Sequence, residues 1–254
     1  MAKLTGKTAL VTGASRGIGR AIAQRLAADG ALIAAHYGSD EAAAKDTVAS
    51  IEQAGGRAFP VRAELGVDGD VDTLFAALEE GLSGQPLDIL VNNAAGPSDG
   101  PIEEATPEGF DRLFAVNVKA PFFIIQRALP LLRDGGRIIT ISSTCTRVAT
   151  PFQTSYAMTK GAVEVMGRTL ANALGTRGIT VNTVTPGATV TDLNASLFKT
   201  SGAEVYLAAM TALDRLGQPA DIADVVAFLA SHDARWITGH VLDASGGMYL
   251  GPRA

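Results

Sequence analysis

The sequence predicts an α/β fold: a single domain built on a doubly wound parallel sheet of about seven strands, with helices on both faces. Three observations lead there. Strand-length apolar runs alternate with helix-length amphipathic segments along the whole chain. Those runs are continuously apolar rather than alternating, the pattern of strands buried on both faces. No Pro/Ser-rich linker, charge block or composition shift divides the 254 residues, of which 47% are hydrophobic, so one core can bury most of the surface.

The elements follow in order. Thr8–Thr12 is a short β-branched and apolar strand ending at Gly13, and a helix from about Gly19 to Asp29 stops at Gly30. Ala31–His36 is the second strand, Asp40–Ala54 the second helix, Arg57–Arg62 the third strand and Val71–Glu80 the third helix. Leu87–Asn92, Arg137–Ser142, Ile179–Val184 and a run around His240–Asp243 supply four more strands. Long helical patterns cover Gly109–Leu132 and Ser155–Leu174, and a shorter one Pro219–Ala230. Right-handed crossovers join such units, and ligands bind beyond the carboxyl ends of the strands.

Composition excludes several classes of function. A net charge of −5 argues against nucleic acid, because phosphate binding needs a basic face. No apolar run reaches the length of a membrane span; Pro121–Leu132 is too short and ends in Arg133-Asp134. Met1–Lys7 lacks the apolar core of a signal peptide, and the one cysteine, Cys145, forms no internal disulfide, so a cytoplasmic location is expected. The three histidines lack metal-ligand spacing, and no metal site is expected.

Chemistry concentrates at the strand ends. Thr12-Gly13-Ala14-Ser15-Arg16-Gly17-Ile18-Gly19 joins the first strand to the first helix. Glycines there allow a tight turn and close backbone approach to a pyrophosphate, which a helix N-terminus favours. Tyr156 and Lys160 stand at i and i+4, on one helix face. A nearby ammonium favours phenolate, so Lys160 is expected to lower the Tyr156 pKa and fit it for acid–base work. Asn117 lies inside a long helical pattern, an unfavourable place for asparagine.

These motifs resemble the short-chain dehydrogenase/reductase family. Thr12–Gly19 matches that family's T-G-x-x-x-G-x-G without a gap, and the resemblance runs from Gly6 to about Gly247. It implies a Rossmann-type fold and hydride transfer between a nicotinamide cofactor and a small-molecule carbonyl or alcohol. Tyr156 would be the general acid/base, with Lys160 beside it and the nicotinamide's positive charge adding to the downward pull on the phenol's pKa. Ser143 would hold the substrate oxygen, and Asn117 a water linking Lys160 to solvent. The cofactor would lie against Gly13, Ser15, Arg16, Gly17, Ile18 and Gly19. Glu64-Leu65 stands where the family usually has an aspartate facing the adenine. Ala94 would approach the adenosine ribose, with Asn92 tying neighbouring strands. Pro186, Gly187, the Thr189 backbone and the Thr191 hydroxyl would hold the nicotinamide.

Cofactor preference is read at the second strand. Where an NAD enzyme usually places an acid for the ribose hydroxyls, this chain has Tyr37, and Arg16 can pair with a 2′-phosphate. Ser39 is a second donor, while Asp40 either opposes this or caps the next helix. NADP(H) is therefore expected over NAD(H), which stays open.

Residues 192–215, with Leu193, Leu197, Phe198, Val205, Tyr206, Leu207 and Met210, are expected to form a substrate lid. Cys145–Phe152 and Gly96–Pro101 would be the other walls, mainly apolar, favouring a moderately hydrophobic ketone or alcohol over a polyanion. Reduction of a 3-oxoacyl group on a carrier protein is an alternative. Arg177 matches one basic position used to grip the carrier, but Asp134, next to Arg133, replaces the other. A non-catalytic dinucleotide sensor is a third reading, disfavoured by the Tyr156–Lys160 pair. The resemblance also implies a homotetramer paired through the two long helices, and Phe122–Ile125 make more than one face of the first apolar.

Overall fold

The computed structural model describes residues 3–97, 100–192 and 202–251. Seven strands form one sheet: β1 (Thr8–Val11), β2 (Leu32–Tyr37), β3 (Arg57–Arg62), β4 (Leu87–Asn92), β5 (Leu132–Ile141), β6 (Thr180–Pro186) and β7 (Val241–Ala244). The order is β3-β2-β1-β4-β5-β6-β7, and every pairing is parallel. Strand order reverses between β1 and β4, the switch point at which doubly wound sheets bind ligands.

The helices are α1 (Gly17–Ala28), α2 (Glu41–Gln53), α3 (Asp70–Leu82), α4 (Pro107–Phe114), α5 (Ala120–Ala128), α6 (Thr154–Leu174), α7 (Ala203–Ala209) and α8 (Pro219–Ala230). Strand side chains alternate between two buried layers. Val11, Ile33, Ile89, Val91 and Ile139 face α1 and α8, where Ile22, Leu26, Val226 and Leu229 are buried. Leu10, Ala34, Leu90, Ile138 and Val181 face the other side, packed with Leu74, Phe75 and Leu78 of α3 and Ile124 of α5. Both faces of the sheet are thus covered, which is why its strands read as continuous apolar runs.

The pattern Gly109–Leu132 is not one helix. It resolves into α4, a π turn at Ala115–Lys119, and α5, which ends at Ala128. Leu132 already belongs to β5, where it pairs with Leu87; the register then shifts, so that Arg137 pairs with Ile89. The Gly135-Gly136 pair lies inside this irregular stretch. The wider π turn places Asn117 where an ordinary helix would not, and such turns mark functional sites.

Candidate active site

The carboxyl ends of β1, β4, β5 and β6 bring the sequence-derived residues together. Gly13 and Gly17 have φ of +66° and +56°, a region that disfavours other residues. A Cβ on Gly19 would sit 2.1 Å from the Gly13 carbonyl oxygen, and one on Gly13 would sit 3.0 Å from Ala94 Cα. The loop after β1 therefore folds tightly onto the loop after β4. One on Gly17 would lie 3.5 Å from Thr191 Cβ, so the segment after β6 adjoins the same cradle.

Arg16, the N-cap of α1, makes no side-chain cap, and no acid lies in the first turn. The first N–H groups of α1 are thus presented to an anion rather than to a side chain of the helix start. These residues fit a dinucleotide pyrophosphate. Arg16 is exposed at the rim, as are Ser39 and Asp40, whereas Tyr37 is buried. Asp40 caps α2, accepting from Ala43 N–H at 3.0 Å. Exposed Glu64 accepts from Arg112 Nη2 at 3.1 Å, while Leu65 is buried in the core layer beside α3. Pro186 ends β6, Thr189 is buried with its hydroxyl donating to Gly187 O at 3.0 Å, and Thr191 is half-buried.

The Asn92 side chain does not tie the strands, although its backbone pairs with Thr140 of β5. The side chain is buried, and neither Nδ2 nor Oδ1 has a hydrogen-bond partner. The neighbouring Asn93 makes that tie instead, its Nδ2 donating to Thr12 O at 2.9 Å and Gly13 O at 3.2 Å. Thr12 Oγ1 in turn accepts from the N–H groups of Asn93 (2.9 Å) and Ala94 (3.0 Å). The contacts cross about eighty residues of sequence, and strand alternation alone could not choose between the two asparagines.

α6 carries Tyr156 and Lys160, and the turn after β5 carries Ser143. Lys160 is fully enclosed; its Nζ lies 5.4 Å from the Tyr156 ring centroid and donates to Ile141 O at 2.9 Å. Glu164, one helical turn further on, accepts from Ser142 Oγ (2.7 Å) and Thr146 Oγ1 (2.9 Å). It thereby bolts the Ser143 turn to α6. Sequence pattern does not reveal this role, because a glutamate on a long helix looks like a solvated residue. Ser142 points at Glu164, away from its neighbour Ser143, which is half-buried.

Asn117 is also fully engaged. Its Oδ1 accepts from Gly96 N–H at 2.8 Å, and its Nδ2 donates to Thr159 Oγ1 at 3.1 Å. It therefore links the loop after β4 to α6 between Tyr156 and Lys160.

Electrostatics correct one expectation. Lys160 does not hold the Tyr156 phenol low; burial, reinforced by the neighbouring Cys145 thiol, pushes it above its ordinary value near 10. Burial also pushes Lys160 down to about 8, against a smaller upward pull from Cys145. Desolvation disfavours the charged form of each group and is the largest cause of both shifts. Lys160, not Tyr156, is thus the group that titrates near neutrality. Burial raises the Cys145 thiol as well, which argues against thiolate chemistry. Among the described residues no cluster of His, Cys, Asp and Glu could hold a metal ion. Arg177 donates to Asp134 Oδ1 at 2.8 Å and Leu129 O at 3.0 Å, so the two positions compared with carrier-gripping arginines neutralise each other.

A parallel sheet with a glycine loop at its switch point, and an acid–base pair tied to the same β4 loop, defines a dinucleotide-dependent oxidoreductase. The sequence pattern of the family described as Enoyl-(Acyl carrier protein) reductase matches residues 13–249. Versicolorin reductase stcU of Emericella nidulans is 38% identical, over 97% of this chain and 97% of that one. Two solved structures are nearer: the reductase LugOII, which catalyses keto-reduction at C1 during lugdunomycin biosynthesis, is 56% identical with a TM-score of 0.94, covering 98% of this chain and 100% of that one. The angucycline C-6 ketoreductase LanV, solved with bound NADP, is 57% identical with a TM-score of 0.94, covering 98% of each chain. LanV has also been solved with NADP and rabelomycin. The chain belongs to the short-chain dehydrogenase/reductase family. It is an oxidoreductase that acts on C=O and CH–OH groups.

Proposed function

We propose that this protein is an NADPH-dependent ketoreductase whose substrate is a ketone on a fused-ring, polyketide-like skeleton. The observation that carries the reaction is the arrangement of Tyr156 over buried Lys160, against the turn of Ser143 and joined through Asn117 to the loop after β4 on which the glycine loop packs. The substrate class is supported by LugOII and LanV, both above half identical across nearly the whole chain.

Bound NADPH supplies the hydride. Gly13, Ser15, Arg16, Gly17, Ile18 and Gly19 would hold its phosphates, with Arg16, Tyr37 and Ser39 toward the 2′-phosphate. Glu64, Leu65, Asn92 and Ala94 would flank the adenosine, and Pro186, Gly187, Thr189 and Thr191 would hold the nicotinamide. Ser143 donates to the ketone oxygen and holds it. Tyr156, kept protonated by its burial, gives its proton to that oxygen; an alkoxide is a far stronger base than a phenolate, so the transfer runs downhill. Lys160 restores the proton, and Asn117 fixes the helix that carries both groups.

The remaining parts of this reading are a homotetramer, a cytoplasmic location and a lid at 192–215. Phe122 and Phe123 on α5 and Met158 and Val165 on α6 are large, exposed apolar residues, as a helix-paired interface requires. Among the described residues no helix is long and apolar enough to cross a membrane. In the lid, Leu193, Leu197 and Phe198 lie outside the described residues, whereas Val205 and Tyr206 are exposed on α7.

The test is a substrate panel with NADPH: a rabelomycin-type tetracyclic ketone, an activated monocyclic ketone and an acetoacetyl carrier-protein thioester, with products read by mass spectrometry. The polycyclic ketone should gain two hydrogens as NADPH is consumed one for one. Turnover of the thioester alone would replace this reading with carrier-bound reduction. Tight NADPH binding without any turnover would favour a sensor.

A further inference from the structure

One residue of β2 holds two consecutive N–H groups of the glycine loop. Ala14 N–H donates to the His36 carbonyl oxygen at 2.8 Å, and Gly13 N–H donates to His36 Nδ1 at 3.0 Å. The other ring nitrogen, Nε2, lies 3.0 Å from the carbonyl oxygen of Ala63, just past the end of β3. The imidazole is buried, 2% exposed. A carbonyl can only accept and an amide N–H can only donate. Nε2 must therefore carry the hydrogen and Nδ1 must be bare, so the two partners dictate one neutral tautomer.

We infer that His36 is a positioning residue for the dinucleotide: its Nε2–H tautomer clamps the start of the glycine loop to the end of β3 and presets the loop for the pyrophosphate. This rests on the reading that the loop holds NADP(H). Gly13 sits at φ +66° against Ala94, so the direction of its N–H and the path of the following residues are coupled. Losing the acceptor at Nδ1 frees that N–H to turn, and with it the groups that face the phosphates. Burial, which holds the ring's pKa at about 4, keeps the acceptor bare throughout the neutral range.

Two shortened side chains split the ring's functions. Asparagine places Oδ1 where Nδ1 sits and keeps the Gly13 contact without reaching Ala63. Glutamine places an N–H where Nε2 sits and keeps the Ala63 contact without accepting from Gly13. His36→Gln is expected to weaken binding of NADPH and NADH alike by about five- to tenfold, the effect of one lost hydrogen bond, with kcat at saturating cofactor nearly unchanged. His36→Asn should bind both within about twofold of wild type, since the acceptor to Gly13 remains. Nitrogen-15 NMR of histidine-labelled wild-type protein should show the His36 hydrogen on Nε2 at pH 7. Wild-type affinity in His36→Gln, an equal loss in His36→Asn, or a hydrogen on Nδ1 would each overturn the inference. If His36→Gln does not fold, the asparagine variant and the tautomer decide the matter by themselves. If wild-type protein binds neither dinucleotide, the functional reading falls and this inference with it; binding by wild type without an Asn–Gln difference removes this inference alone.

Discussion

Acidification from pH 7 to pH 5 is expected to destabilise the protein through His36 in particular. The ring is buried between the glycine loop and β3, and burial lowers its pKa from 6.5 to about 4, with the Ala63 contact pulling weakly the other way. Between those values the unfolded chain binds a proton that the folded protein refuses, so stability rises with pH there and falls as pH drops. The full shift corresponds to about 3 kcal/mol, and about 2 kcal/mol of it is lost by pH 5. Below about pH 4 both states are protonated and the loss stops growing. The assay is urea unfolding of wild type and His36→Asn at fixed protein concentration across pH 7 to 4. Plotted against pH, the difference in unfolding free energy between the two should slope by about 2 kcal/mol by pH 5. Parallel curves would refute the argument, because the ring would then be solvated or already charged in the folded state.

Three further outcomes follow. Arg16→Ala should weaken NADPH by roughly ten- to hundredfold, the worth of a charged hydrogen bond, and leave NADH nearly unchanged; equal losses in both would indicate a loop defect. Because Lys160 titrates near 8 in the folded protein, alcohol oxidation should rise with pH through an apparent midpoint near 8 and ketone reduction should fall there; a flat profile between pH 7 and 9.5 would contradict the relay. Light scattering at micromolar concentration should show four chains per particle, and a monodisperse monomer would remove the tetramer from the proposal.

Much of the fold was legible because the parallel strands are buried on both faces. Arg57–Arg62, Leu87–Asn92 and Pro219–Ala230 coincide with β3, β4 and α8 to the residue. The break inside Gly109–Leu132 was not legible, since a π turn adds one residue to a helical repeat without changing its apolar character; the misplaced Asn117 was its one trace. The glycine loop and the Tyr156–Lys160 pair were readable from local spacing. The contacts that organise them were not: Asn93 to Thr12, Glu164 to Ser142 and Arg177 to Asp134 join segments far apart in sequence. His36 carried a readable signal, an imidazole inside a buried apolar run, but spacing tests a histidine only as a metal ligand. The direction of the Tyr156 shift depends on depth of burial, which pattern does not report.

The most direct test of the account is the single-turnover rate of Tyr156→Phe, with NADPH affinity measured alongside. The variant keeps the ring and removes only the proton donor. It should bind NADPH like wild type and lose about 10²–10⁴-fold in the chemical step, the contribution of a positioned acid. Retention of more than about a tenth of the wild-type rate in a chemistry-limited assay would contradict the proton-transfer role on which the account depends.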